Sequence, residues 1–302
     1  MLRALAVLAL AAAMAPAQPQ RTPVILDTDL GDAIDDALAL AFALRSPELD
    51  VRAITTVMDD AGLKARLAWK LLGLYNRRDI ALARGASEPL LAAREPATSR
   101  EFEVLTNQDT IPETARRPAA LLIVETVRDT PGISIAAIGP LTNIALALKL
   151  DPSIKPNIQR IYMMGGAYQS PEAEYNIRRD PHAARIVFES GIPITAVGLE
   201  ATRPLQLRDA DLARLRLAGD PAGLMLLRLI DLNGDEHPTL FDPLALAVVF
   251  KPGLAQFREG TVEVSLDGRT EFSPAGRGRA IVGLQVDAQA ALDLFIGRIA
   301  AR

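Results

Sequence analysis

The chain has 302 residues, 49% hydrophobic, 23% charged and 4% aromatic, the proportions of a globular core built from Ala, Leu, Ile and Val rather than of a disordered or fibrous chain. A formal charge of −4 with no basic run longer than two residues leaves no electrostatic footprint for a phosphate backbone, so polymeric nucleic acid is excluded as a partner. There is no cysteine, so thiol catalysis and disulfide staples are excluded and stability must come from packing.

In chain order, Met1-Leu2-Arg3 precedes a run from Ala4 to Ala15 made only of Ala, Leu, Val and Met, followed by a small-x-small site at Ala15-Pro16-Ala17. That is the shape of a signal peptide over residues 1–17. It predicts an exported protein, periplasmic or extracellular, with no membrane span once the leader is cleaved. Pro16, Pro19 and Pro23 would interrupt a helix continuing into the fold. Residues 18–302 are expected to form one catalytic domain, because no internal repeat and no linker rich in Ser, Gly or Pro divides them.

Pro23 to Leu26 is a short apolar run entering an acidic, glycine-containing turn, and Asp35 to Leu44 reads as a helix. Strand-like Val51 to Val57, helical Leu63 to Tyr75, strand-like Ile80 to Leu82 and helical Ala119 to Arg128 continue the alternation. Ile133 to Ile138 is strand-like, Leu141 to Leu150 helical, Ile158 to Met164 and Ile194 to Leu199 strand-like, with a helix around Ala183 to Glu189 between the last two. Leu212 to Leu232 reads as one helix, Leu244 to Val249 as another behind Asp242-Pro243, and residues 261–286 as peripheral strands. The polar stretch Arg94 to Pro118 reads as a long loop or lid. Such alternation predicts an α/β fold, a mostly parallel open sheet with helices on both faces, with functional residues just after the strands.

Asp27, Asp29, Asp32, Asp35 and Asp36 put five carboxylates in ten residues at the end of a buried strand. Like charges this close need protonation, strong hydrogen bonding or a cation, and hard oxygen donors select calcium or magnesium. Asp27 and Asp29 share a side of an extended segment, while Asp35 and Asp36 open a helix whose free N–H groups favour negative charge.

The turn resembles the N-terminal signature of the inosine-uridine-preferring nucleoside hydrolases, Asp-x-Asp-x-Gly followed by an Asp-Asp pair at a helix start. Five further motifs follow in that family's order: Ala53-Ile54-Thr55-Thr56-Val57, Gly139-Pro140-Leu141-Thr142-Asn143-Ile144-Ala145, Met164-Gly165-Gly166, Glu174-Tyr175-Asn176 and Phe241-Asp242-Pro243-Leu244-Ala245. The resemblance spans roughly residues 23–250. It implies a Rossmann-like nucleoside hydrolase fold and hydrolysis of the N-glycosidic bond of a small-molecule ribonucleoside to free base and ribose, through a transition state with oxocarbenium character. It further implies Ca2+ as cofactor and a homodimer or homotetramer.

Carried over by position, the resemblance makes Asp29, Asp36, Asp242 and the main-chain carbonyl of Ile138 the metal ligands. Asp29 is also the base that deprotonates the metal-bound water, and Asp27 supports the cluster. Asp35, Glu174 and Asn176 are assigned to the ribose hydroxyls, Glu174 and Asn176 projecting to one side of an extended stretch. Chelation of the 2′ and 3′ hydroxyls predicts poor activity on 2′-deoxynucleosides.

Three departures fall at the base and sugar. Phe241 stands where family members carry a histidine before the distal Asp, so His237, five residues upstream, is the candidate acid; His182 reads as structural. Asp59-Asp60 replaces Gly-Asn after the second strand, making Asp60 a candidate for a ribose hydroxyl or the metal shell. The loop before Glu174 is short and lacks the expected Asn, leaving Gln169 as its substitute. Two other readings are weighed against hydrolysis. One is a catalytically silent, calcium-dependent nucleoside or sugar binding protein of the cell envelope, suggested by Phe241 and Asp60. The other is a haloacid-dehalogenase-type phosphatase, which also has Asp-x-Asp after its first strand but does not account for Asp35-Asp36 or Glu174-Tyr175-Asn176.

Overall fold

The computed structural model describes residues 21–91, 98–274 and 280–301. The leader-like residues 1–17 lie outside the described residues, as does part of the Arg94 to Pro118 stretch. Among the described residues, nine strands form one sheet: β1 Thr22–Thr28, β2 Leu49–Thr56, β3 Ala81–Arg84, β4 Ile133–Ala137, β5 Ile158–Met164, β6 Ile194–Val197, β7 Ala255–Val264, β8 Thr270–Ser273 and β9 Ala280–Val286. The helices are α1 Ile34–Leu44, α2 Ala61–Leu74, α3 Ala119–Asp129, α4 Thr142–Leu150, α5 Tyr175–Arg179, α6 Pro181–Phe188, α7 Leu199–Thr202, α8 Asp209–Ala218, α9 Pro221–Asn233, α10 Phe241–Phe250 and α11 Ala288–Ile299.

The strand order is β3-β2-β1-β4-β5-β6-β9-β7-β8. Pairing is parallel from β3 across to β9, and antiparallel where β7 joins β9 and β8 joins β7. Strands covered on both faces read as apolar runs rather than alternating ones, as in the fully buried β4. Along β1 the side chains alternate between two cores. Val24 and Leu26 pack with Leu38, Phe42, Leu67, Leu229 and Leu244, and Ile25 packs with Leu122, Val127, Ile144 and Val187 on the opposite face. Helices therefore cover both faces, as the alternation predicts. Among the described residues, no helix is long and apolar enough to cross a membrane.

Four local readings change. The single helix expected from Leu212 to Leu232 is two, because Gly219 closes α8 in the left-handed conformation (φ +67°) and Asp220-Pro221 starts α9, the Asp220 carboxylate accepting from the N–H groups of Ala222 and Gly223. The strand expected to reach Leu199 stops at Val197, and Leu199 opens α7. Residues 261–286 are not all peripheral: β9 lies inside the sheet, parallel to β6, while β7 and β8 form its edge. The loop region ending at Pro118 contains two 3-10 turns, Arg100–Val104 and Glu113–Arg116.

Candidate active site

The sheet changes direction of winding between β1 and β4: the chain moves outward from β1 to β2 and β3, then returns to place β4 on β1's other side. The strands pair in register, with the Ile138 N–H donating to the Asp27 carbonyl at 2.8 Å. Ligands of such sheets bind in the crevice outside the carboxyl ends at this switch point, because the following helices diverge there. Asp27 is fully buried at the end of β1, one carboxylate oxygen accepting from Thr55 Oγ1 at 2.5 Å and Asn143 Nδ2 at 2.8 Å. Its other oxygen is buried with no hydrogen-bond partner among the described residues. Burial pushes the Asp27 carboxyl up to about 7, against the pull of those two donors. Asn143 also donates to the Thr56 carbonyl and accepts from the Ala86 N–H, so it ties β1, β2 and the loop after β3 to the start of α4.

After β1 the chain turns sharply. The Asp32 N–H donates to the Asp29 carbonyl at 3.0 Å, and Gly31 has φ +101° with the Phe102 ring lying where a Cβ would be. α1 then opens with Asp35 and Asp36 in its first turn, and Thr28 Oγ1 donates to Asp36. Helix α10 packs beside α1 and begins at Phe241, so Asp242 falls in its first turn. The Asp242 N–H points to Asp35 Oδ2 at 3.4 Å, and carboxylate oxygens of Asp35, Asp36 and Asp242 lie within 4.8 Å of one another.

All of these carboxylates are buried. Burial raises Asp35 to about 6 despite hydrogen bonds from the backbone of Asp242 and of α1. Burial raises Asp36 and Asp242 well above the ordinary carboxylate range, and the neighbouring carboxylates push them further. Asp29, also on the cavity wall, is raised by burial and Asp32 and pulled back by Lys64. Crowded, desolvated, all-oxygen donors with this much uncompensated charge fit a hard divalent cation.

Glu174 and Asn176 arrive from the loop after β5. The sequence predicted an extended stretch, but Tyr175 starts α5 and only Glu174 is extended. Its carboxylate caps the helix, accepting from the N–H groups of Asn176 (2.9 Å) and Ile177 (3.1 Å), and from Gly166 (3.0 Å). Burial raises Glu174, and these three backbone donors pull it back. The Asn176 amide donates to the carbonyls of Ile138 (3.1 Å) and Met164 (3.4 Å). A cavity of about 480 Å3 opens over the cluster, walled by Asp29, Asp32, Asp35, Asp36 and Asp242, by Glu174, Tyr175 and Asn176, and by apolar Met164, Leu199 and Phe241, with Arg178, Arg203 and Glu172 also lining it.

Three candidates lie elsewhere. Asp60 is exposed and caps α2, accepting from the Leu63 N–H at 2.8 Å. Its neighbour Asp59 turns inward instead, with φ +50°, and pairs with Arg179 Nη2 at 2.5 Å. Gln169 is exposed and lines a different cavity beside the β7–β8 hairpin. His237 is exposed on the loop before α10, and neither it nor His182 lines the carboxylate cavity.

Sequence reasoning passed over Lys64. It is fully buried in α2, its ammonium donating to the Asp29 carbonyl at 3.0 Å and to Asp32 at 2.5 Å. Its position is a usable signal, because Lys64 shares the inward helical stripe of Ala68, Leu71 and Leu72. Asp32, one of the five clustered carboxylates, is the partner of that buried cation. Its other carboxylate oxygen accepts from the Tyr175 hydroxyl at 3.4 Å.

Residues 24–293 match the family model described as inosine-uridine preferring nucleoside hydrolase. The pyrimidine-specific ribonucleoside hydrolase RihA of Salmonella gallinarum is 34% identical over 306 residues, covering 92% of this chain and 98% of the relative. Among solved structures, the purine-preferring ribonucleoside hydrolase from Gardnerella vaginalis superposes with a TM-score of 0.82 at 27% identity, covering 92% of this chain and 98% of its own. The plant nucleoside hydrolase PpNRh1 superposes with a TM-score of 0.81 at 29% identity, covering 94% and 100%. Fold and matches together define a hydrolase of N-glycosidic bonds. The chain belongs to the inosine-uridine preferring nucleoside hydrolase family.

Proposed function

We propose that this chain hydrolyses ribonucleosides to free base and ribose with calcium as its cation, held by Asp29, Asp36, Asp242 and the Ile138 carbonyl. The observation that carries the reading is the meeting of Asp242 with Asp35, 207 positions apart, in one buried cluster beside Asp36. Bound there, the cation supplies charge neutralisation and Lewis-acid polarisation of the attacking water. Asp29 accepts the proton of that water as its oxygen bonds to the anomeric carbon and the carbon–nitrogen bond to the base breaks. Asp35, Glu174 and Asn176 hold the ribose hydroxyls. Asn176 is itself oriented by the Ile138 and Met164 carbonyls, and Glu174 by three backbone N–H groups, so both enter the reaction already positioned. Asp27, tied by Thr55 and Asn143, fixes the end of the strand that carries Asp29.

Residues 18–302 act as one catalytic domain, exported behind the leader-like residues 1–17, and assemble as a homodimer or homotetramer. N-terminal sequencing of protein recovered outside the cytoplasm tests the first, and light scattering on the purified protein the second. The activity is tested with inosine, uridine, adenosine and cytidine, each with and without a chelator. Release of base and ribose that stops with chelator and returns with calcium supports the reading. No turnover above the uncatalysed rate on any of the four overturns it in favour of a nucleoside-binding protein without catalysis.

A further inference from the structure

The cavity has a carboxylate floor for cation and sugar, yet the group that assists departure of the base is missing from its usual kind. Among the described residues lining it there is no histidine, and the position before Asp242 is Phe241. Tyr175 holds its proton tightly, because burial and the charges of Asp32 and Asp29 raise its hydroxyl. Lys64 is sealed beneath the cluster and committed to Asp29 and Asp32. Arg203 is paired with Glu172 at 2.6 Å.

Arg178 is different. It lines the same cavity, is exposed, and has no ion-pair partner among the described residues; its guanidinium lies over the Tyr175 ring, 5.9 Å from the centroid. Its backbone is clamped. Glu174 caps the short helix that carries it, and the turn of the β7–β8 hairpin presses so close that a Cβ on Gly268 would sit 2.5 Å from the Arg178 Cα. A fixed backbone carrying a guanidinium without an ion pair among the described residues into the substrate cavity is the arrangement of an anion-recognition residue.

We propose that Arg178 holds the nucleobase as it leaves, taking the place of a protonating acid. The inference rests on the hydrolase reading above. As water adds at the anomeric carbon and gives its proton to Asp29, the electron pair of the breaking carbon–nitrogen bond passes to the base, which departs as an anion. A guanidinium stays protonated at neutral pH, so it transfers no proton. It offers charge-assisted N–H hydrogen bonds to the ring nitrogen or to a carbonyl oxygen that shares the negative charge. The base takes its proton from solvent after release, Asp29 returns one to solvent, and the sum is riboside plus water giving ribose plus base. The favoured substrates are then ribosides of bases that spread the charge onto a carbonyl, uracil and hypoxanthine before adenine.

The test compares wild type with Arg178→Met and Arg178→Lys on uridine and on 4-nitrophenyl β-D-ribofuranoside, whose nitrophenolate leaves without assistance. The expected result for Arg178→Met is a kcat on uridine lower by about 10²-fold, the scale of losing one donor to developing charge, with the nitrophenyl riboside unchanged. Arg178→Lys should recover part of the uridine rate. An equal loss on both substrates, or no loss on either, overturns the inference while leaving the hydrolase reading standing. Arg178→Gln carries the comparison if Arg178→Met does not fold. Failure of wild type to cleave either substrate would overturn the hydrolase reading and this inference together.

Discussion

The Lys64 ammonium lies 3.0 Å from the Asp29 carbonyl and 2.5 Å from the Asp32 carboxylate, so a fully buried lysine grips the catalytic turn through the main chain of one residue and the side chain of the next Asp along. The lysine thus fixes the turn and neutralises part of its charge. Replacing it by the apolar isostere Met removes one partner of a buried pair and leaves Asp32 uncompensated. Lys64→Met is expected to lower the unfolding free energy by about 3–5 kcal/mol, read from urea melts. A change within about 0.5 kcal/mol would mean that water reaches Asp32 and the pair is not structural.

Asp29 is the proposed proton acceptor, and its side chain faces the cavity rather than the core. Asp29→Ala is expected to cost about 10³-fold or more in kcat, within the usual scale for a base that is also a ligand, with an unchanged circular-dichroism spectrum. A loss below about tenfold would assign the proton to another carboxylate.

The buried cluster links stability to pH and cation. Asp27 and Asp35 are raised from 3.8 to about 7 and about 6, so the folded protein binds their protons more tightly than the unfolded chain does. Their contribution is complete below the unfolded value and is lost as pH rises through 6 and 7. Metal-free protein is therefore expected to melt at lower temperature at about pH 8 than at about pH 5. Added calcium should raise the melting temperature far more at the higher pH, because the proposed ligands Asp29, Asp36 and Asp242 are also raised by burial, and cation and protons compete for their oxygens. Calorimetry showing no pH trend without calcium and no larger calcium effect at high pH would count against the cluster as the cation's site.

Asp59 sets two effects against each other. Asp59→Gly relieves a non-glycine residue from the left-handed region, worth about 1 kcal/mol, but strands buried Arg179 without its carboxylate, costing about 3–5 kcal/mol. The second wins, so Asp59→Gly is expected to destabilise by about 2–4 kcal/mol. The double variant Asp59→Gly, Arg179→Met should recover most of that in chemical melts, and a double variant no better than the single would show that the pair is not the reason.

The alternation of strands and helices, the Asp27 to Asp36 turn and the Asp180-Pro181 and Asp220-Pro221 helix starts are all contained in short windows. The Gly219 break within Leu212 to Leu232 was equally local, but the apolar periodicity on either side of it masks the stop. The Glu174 cap belongs to the same kind: an acidic residue ahead of free N–H groups favours a helix start over an extended strand.

The sequence by itself determined the doubly wound class and put five carboxylates at and just beyond the end of the first strand, because neighbours in the chain stay neighbours in space and the periods of strand and helix set which way they face. Asp242, which the resemblance assigns to the same cation, meets them through the packing of α10 on α1; only the tertiary structure decided that Lys64 joins them from the inward face of α2 and that Arg178 lines their cavity with a hairpin turn pressed on its backbone. It also chose between adjacent aspartates, sending Asp59 inward and Asp60 to a helix cap by a left-handed backbone angle. Such choices depend on crossing angles and single dihedrals, which no local pattern of residue types encodes.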